Sequence, residues 1–382
     1  TINEGSSGCL DCPSGTYLPP SSTSESHDTF LHCIVCSAGK YAASAGSGDC
    51  ISCEGGKFLT DDGVQATAHD SAEDCIVCPS GSISSVSLSG CLLCDAGRFI
   101  ADNGVNHVHH DSVDDCAVCA GGKFSSQGSD SCLSCPSGTF LQDAGTASIH
   151  HDSLNDCIIC PAGRWSGDGS TACHACEAGR FIENDGDSYS AHDSMNDCHL
   201  CSPGSWSDSG ARLCTKCVSG TYLATTGASS SHNSIAKCLI CASGKWSITG
   251  SSECTSCVAG KYIEDSSTSA KLHASIDNCN RCAPGTFSSV GSAGCSLCPA
   301  GSYSLHPGIA ASSCITCPAG TWSAAGSYGC LVCPAGTYLS DSATAPTFHD
   351  DPSKCIICSS GQYAQAASST CIDCEAGSYL ED

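Results

Sequence analysis

All 38 cysteines of this 382-residue chain lie in C-x-x-C pairs, and no other feature limits the fold so strongly. Nineteen pairs run from Cys9/Cys12 to Cys371/Cys374 on a nearly regular beat. Cys50, Cys91, Cys132, Cys173 and Cys214 open pairs spaced 41 residues apart, with a second series at Cys75, Cys116, Cys157 and Cys198 interleaved between them. A period of that length marks an array of small units, not one globular core. The loops between pairs alternate between 12–13 and about 21 residues and are filled with Ser, Gly, Ala, Thr and Asp. They are too short and too polar to build a core. Stability must come from covalent closure, ~3 kcal/mol per loop of this size in the chain-entropy model.

The repeat divides the chain at its cysteines. Residues 1–53 hold a partial unit and the first short one, followed by units at 53–94, 94–135, 135–176, 176–217, 217–257 and 257–298. An atypical short–short unit spans 298–333, a further unit 333–374, and a partial one 374–382. The loop from Cys298 to Cys314 has only fifteen residues, His306 is displaced within it, and the beat predicts a loss of phase there.

Cysteine at about a tenth of the residues is the level of a secreted disulfide scaffold. A net charge of −25, with only 14 Lys plus Arg, excludes a basic nucleic-acid-binding face and favours solubility and cationic partners. No apolar run has the length of a membrane span, and residue 1 does not begin a signal peptide. The chain reads as a mature extracellular or cell-surface protein, or a piece of one. No Asn-x-Ser/Thr sequon occurs, so O-linked sugars on the dense Ser/Thr are the expected glycans.

Within each unit, a Gly stands three residues after the second cysteine in all nineteen copies, from Gly15 to Gly377. An aromatic follows two residues later in eighteen of them, with Ile83 the exception. The Gly implies a turn with positive φ or a close backbone approach. The aromatic is expected to cover a disulfide and supply most of the apolar area of its unit, and the extended segment after it to form a small hairpin. Long loops add an acidic turn (Asp61-Asp62-Gly63, Asp102-Asn103-Gly104, Asn184-Asp185-Gly186) and close on His-Asp-Ser-x-x-Asp-Cys. That His lies six residues before the cysteine eight times: His27, His69, His110, His151, His192, His232, His273 and His349.

C-x-x-C-x-x-G-x-aromatic, as in Cys333-Pro334-Ala335-Gly336-Thr337-Tyr338 and Cys12-Pro13-Ser14-Gly15-Thr16-Tyr17, resembles the ephrin-receptor-like cysteine-rich repeat. Its loop is similar to the first loop of tumour-necrosis-factor-receptor modules, and the long His-Asp-Ser variant resembles tandem arrays in surface proteins of algae and other protists. The resemblance covers essentially the whole chain. It implies that the cysteine before Gly-x-aromatic closes onto the next one downstream: Cys12 with Cys33, Cys36 with Cys50, Cys53 with Cys75, Cys78 with Cys91, Cys94 with Cys116, Cys119 with Cys132, and so on. This chain lacks the extra crossed cysteines of the receptors, and a crossed set, Cys50–Cys75 with Cys53–Cys78, satisfies the spacing too. Under sequential pairing Cys9 and Cys374 are left over, which makes them candidates for a disulfide between copies. The expected fold is small, disulfide-rich and mostly β or irregular, an elongated solenoid-like rod with short hairpins.

Other chemistry competes with this reading. C-x-x-C pairs at 12–13 residues also have zinc-ribbon spacing, but the secreted-type composition and the odd number of pairs favour disulfides. In His-Asp-Ser-x-x-Asp, the Asp or Ser is expected to cap a helical turn as in a capping box, with the His packed on an aromatic or bonded to a loop carbonyl. A cation site is the alternative, at His69/Asp70, His110/Asp111, His151/Asp152 and His192/Asp193 with the acidic turns, and Ca²⁺ would suit the carboxylates. A pH-responsive switch is a third use of the His. No catalytic constellation emerges, because every reactive-looking group is repeated about eight times whereas an active site is normally unique. The chain reads as no enzyme. It reads as a structural protein, a disulfide-stapled rod that assembles head to tail with itself into a filament, hair or coat. The alternative is the ectodomain stalk of a cell-surface receptor or adhesin, which a membrane span beyond residue 382 would favour.

Overall fold

The computed structural model describes residues 10–20, 29–184, 186–225, 227–310, 313–341, 343–375 and 377. Cys9, His27, Asp185 and Tyr379 lie outside the described residues. Two compact units are distinguished, Thr1–Cys176 with Ile182–Cys198, and Glu177–Phe181 with His199–Asp382. The same local construction operates inside each. Among the described residues there is no α-helix. The regular structure is eighteen two-stranded antiparallel hairpins and short 3-10 turns.

Each hairpin is built from the aromatic (Ile83 in one copy) and the residue before it, paired with the two residues enclosed by the next C-x-x-C. Thr139–Phe140 pairs with Ile158–Ile159, placing Phe140 opposite Ile158. Arg164–Trp165 pairs with His174–Ala175. The sequence reading placed the hairpin after the aromatic, around the Gly or Asp-Gly turn. The structure places it across the whole loop, because the disulfide draws together the chain segments on either side. Cys135 joins Cys157 and Cys160 joins Cys173, and the other cysteines from Cys12 to Cys371 follow the same sequential order. Within each hairpin the turn glycine's carbonyl accepts the N–H of the second cysteine of the next pair, as Gly138 does from Cys160 at 2.9 Å.

Long loops stack on long loops and short loops on short loops, one full period apart. A Cβ added to Gly220 (φ 83°) would lie 1.9 Å from the carbonyl oxygen of Ala270, and one added to Gly204 would lie 2.1 Å from that of Gly250. The repeated glycine therefore answers both demands at once, a positive-φ turn and backbone contact with the next coil. Between the two columns, glycine N–H groups donate to the carbonyl of the residue after the next aromatic, as Gly138 to Ser166 and Gly163 to Ile182. The short Cys298–Cys314 loop keeps its place in the long column. Gly308 lies against Gly260, and Pro346 of the next long loop lies against Gly301. No phase is lost, because stacking depends on these turn contacts and not on loop length.

The apolar core is divided into small clusters. Leu141 with Cys135–Cys157 is packed by Phe124, and Ile182 with Cys176–Cys198 by Trp165. Where these clusters form, a short-loop aromatic, or Ile83 in one of them, covers the disulfide of the following long loop. The aromatics are only half-buried. The buried groups include cystine, Leu or Ile, the histidines and the serines after the short-loop aromatics, so the aromatic is not the main apolar mass of a unit.

Candidate functional site: a buried histidine between successive loops

The loop closures form as local physics requires. In the fourth long loop, Ser148–His150 makes one 3-10 turn and Leu154–Asp156 another, with His151 between them. Ser153 is the N-cap of the second turn. Its hydroxyl accepts from the Asn155 N–H at 3.3 Å, and the Asp156 carboxylate accepts from the Ser153 N–H at 3.0 Å. This is the capping box in His-Asp-Ser-x-x-Asp, and it recurs at Ser71/Asp74, Ser112/Asp115 and Ser194/Asp197.

Set between the two turns, the histidine is fully buried in all seven described copies. Its Nδ1 donates to a backbone carbonyl of the preceding short hairpin. The acceptors are Lys40 at 2.6 Å for His69, Ser82 at 2.7 Å for His110, Lys123 at 2.7 Å for His151 and Arg164 at 2.7 Å for His192. Its Nε2 turns back to the acidic turn of its own loop. Asp61, Asp143, Asp265 and Asp341 lie 2.9–3.0 Å from the rings of His69, His151, His273 and His349. Each ring nitrogen therefore faces an acceptor oxygen, a carbonyl at Nδ1 and a carboxylate at Nε2.

Three loops vary the partner. Asp102 lies 3.8 Å from His110 Nε2 and accepts from the neighbouring His109 at 3.1 Å. Thr225 faces His232 with a hydroxyl at 3.0 Å, which can also donate into a neutral ring. Asn184 occupies the position in the fifth long loop, and among the described residues His192 Nε2 has no hydrogen-bond partner.

The turn carboxylates are held below their ordinary range. The Gln65 N–H is the main cause at Asp61, ahead of His69. The Thr146 hydroxyl leads at Asp143, followed by His151, and the Thr268 hydroxyl leads at Asp265. Asp341 is lowered to about 2, chiefly by the Thr344 hydroxyl, against an opposing effect of burial, with His349 adding to the shift. At Asp102 burial pushes upward, and hydrogen bonds from Val105 and His109 outweigh it.

In four of the seven described copies the histidine thus bonds its own acidic turn, eight residues upstream, and not the aspartate beside it. Asp70, Asp111, Asp152 and Asp193 form no hydrogen bond or ion pair with the neighbouring His69, His110, His151 and His192. Among the described residues, no group of three or more His, Cys, Asp or Glu is placed to hold a metal ion. Cys374 is a free, partly buried thiol.

A second partner of this arrangement escaped the sequence reading. The residue after the aromatic is Leu or Ile in most long loops and Ser in most short ones. Those serines are buried, and each hydroxyl donates to the carbonyl before the aromatic of the preceding long loop, as Ser166 to Thr139 at 2.7 Å and Ser247 to Thr221 at 2.8 Å. Long-loop carbonyls are bonded by serine and short-loop carbonyls by histidine. The alternation of Leu/Ile with Ser in most copies, read in register, was the available signal.

Sequential disulfide loops, a shared hairpin register and stacked turn glycines define a tandem array of small cysteine-rich repeats. Its units are similar to ephrin-receptor-like cysteine-rich repeats. The family model described as tyrosine-protein kinase ephrin type A/B receptor-like matches residues 285–322, which include the shortened Cys298–Cys314 loop. No curated protein matches the chain. The family is receptor-like and not an enzyme family, and the density of disulfides points to an extracellular location. No helix among the described residues is long and apolar enough to cross a membrane.

Proposed function

We propose that the chain is an extracellular structural protein, a disulfide-stapled rod that assembles head to tail with other copies into a filament, hair or coat. One observation carries the reading. The groups buried between successive loops, seven histidines and the serines that alternate with them, satisfy neighbouring backbone carbonyls in copy after copy. Side chains spent on inter-repeat cohesion, many times over, suit a load-bearing array better than a single site. A disulfide between Cys374 of one copy and Cys9 of the next is the covalent form of this proposal. O-linked sugars on exposed Ser/Thr and Ca²⁺ at the acidic turns belong to it as well. Electron microscopy of native material tests it: filaments support assembly, and dispersed single particles at every concentration oppose it. The receptor-like family match favours a second reading, the ectodomain stalk of a receptor or adhesin. Surface labelling of a single membrane-anchored species would select that reading.

A further inference from the structure

Charge is segregated along the chain. Residues 1–208 carry 28 acidic and 6 basic side chains, and residues 282–382 carry 7 and 1. The stretch 209–281 inverts the balance, with 4 acidic and 7 basic. It falls wholly in the second compact unit.

The hairpins of this stretch show what was exchanged. Elsewhere the residue that follows the opening cysteine is mostly an exposed aliphatic, such as Ile51, Ile76, Leu92, Leu133 and Ile158. Here it is Thr215, Thr255 and Asn280, with Leu239 retained. The next position carries Lys216 and Arg281, and the register sets Lys261 directly opposite Arg281. Like charges facing across a two-residue ladder weaken it. Lys237 makes a comparable concession. It stands where Asp74, Asp115, Asp156 and Asp197 complete a capping box, and its loop keeps only the Ser234 hydroxyl cap. Lys354 does the same in the last long loop.

Lys216, Lys237, Lys245, Lys271 and Arg281 are exposed, and Lys261 is half-buried. Among the described residues, none of the six lies within 4.0 Å of a carboxylate. Lys261, Arg281 and Lys237 weaken the local structure, and the six cations pair with no carboxylate among the described residues. The first compact unit presents the complementary surface: Glu73, Asp111, Asp114 and Asp152 are exposed on its capped turns. Those turns recur every 41 residues, so they would meet a repeat-built cationic strip at several points together.

We infer that residues 209–281 form a docking surface for the acidic turns of a second copy of this chain. This rests on the self-assembly reading and assigns it a surface. The alternative occupant of a cationic strip, a polyanionic polysaccharide, lacks the matching repeat and is not supplied by the chain itself. The contact is heterologous, joining different patches on the two copies, and so can propagate.

Sedimentation velocity of the whole 382-residue chain tests this, with wild type, K237E/K245E/R281E and E73K/D114K compared at 50 and 500 mM NaCl. All five positions are exposed, and their side chains take no part in a hydrogen bond or ion pair among the described residues. Circular dichroism and non-reducing electrophoresis confirm that both variants fold and oxidise. Self-association of wild type at low salt is expected to weaken by about tenfold or more at high salt. Each variant alone should associate more weakly than wild type, and a mixture of the two should regain association, because the exchanged charges are again opposite. Association indifferent to salt and to both variants would overturn the docking surface while leaving self-assembly through another face. Absence of association at either salt overturns it too. Retention of wild type but not K237E/K245E/R281E on heparin would then reassign the strip to a polyanionic polysaccharide.

Discussion

Replacing Gly220 by Ala separates the two demands on the repeated glycine. Its φ is 83°, a region that costs an L-residue ~1–2 kcal/mol. The added Cβ would also lie 1.9 Å from the Ala270 carbonyl oxygen, 2.7 Å from its carbon and 3.0 Å from its Cα. All three are backbone atoms, so relief requires the next long loop to move by about 1 Å or more, and overpacking of this kind costs roughly 1–3 kcal/mol beyond the strain. Gly336 provides the control. Its φ is 84°, yet no atom of the described residues lies within 4 Å of the equivalent Cβ. Gly336→Ala should cost ~1–2 kcal/mol and Gly220→Ala ~2–5 kcal/mol. Hydrogen-exchange mass spectrometry with the disulfides intact reads the difference loop by loop. For Gly220→Ala, protection should fall in 217–241 and 257–282 and stay near wild type in distant loops, because repeats are coupled mainly to their neighbours. Equal losses in the two variants would refute coil-to-coil stacking as the reason for the glycine, and a loss spread over the entire chain would refute nearest-neighbour coupling.

Four further outcomes follow from the same geometry. Alkylation of the oxidised protein should label Cys374 and no other described cysteine; broad labelling with stoichiometric zinc would contradict the disulfide assignment. Ala367 holds φ 67° at a short-loop turn where most copies carry Gly, so Ala367→Gly should stabilise that loop by ~1 kcal/mol in the same exchange experiment, and a loss would refute the strain argument. Asn184→Asp should give His192 Nε2 the acceptor it lacks and increase protection of the Ser166 N–H, which donates to the His192 carbonyl; unchanged protection would show that the carboxylate adds nothing. Asp341 is lowered to about 2 in the folded chain from an ordinary value near 3.9, so its hydrogen bonds contribute stability that is complete above about pH 4 and is lost as the pH falls through 2. In a pH series from 5 to 1.5, protection of the Ser323 N–H, which donates to the His349 carbonyl, should fall through that window in wild type, and Asp341→Asn should flatten the dependence.

Much of this molecule is legible in one dimension, because the rules that govern it act over a few residues. The cysteine period establishes an array, and loops of 12–21 residues cannot bury a core, so covalent closure follows. The capping box in His-Asp-Ser-x-x-Asp could be read directly, since Ser71 and Asp74 meet within one turn. Spacing alone left sequential and crossed pairing open. The tertiary structure decided what depends on contacts one loop or one full period away. It set the hairpin across the disulfide, with Phe140 opposite Ile158, where the sequence reading had put it after the aromatic. It brought the Lys123 carbonyl to His151, 28 residues on, and the Ala270 carbonyl to Gly220. It also gave His151 to Asp143 instead of to the adjacent Asp152. A histidine's neighbour in sequence is separated from it by backbone geometry. Its partner in space is chosen by which carboxylate remains near enough to satisfy a ring nitrogen that burial has taken out of water.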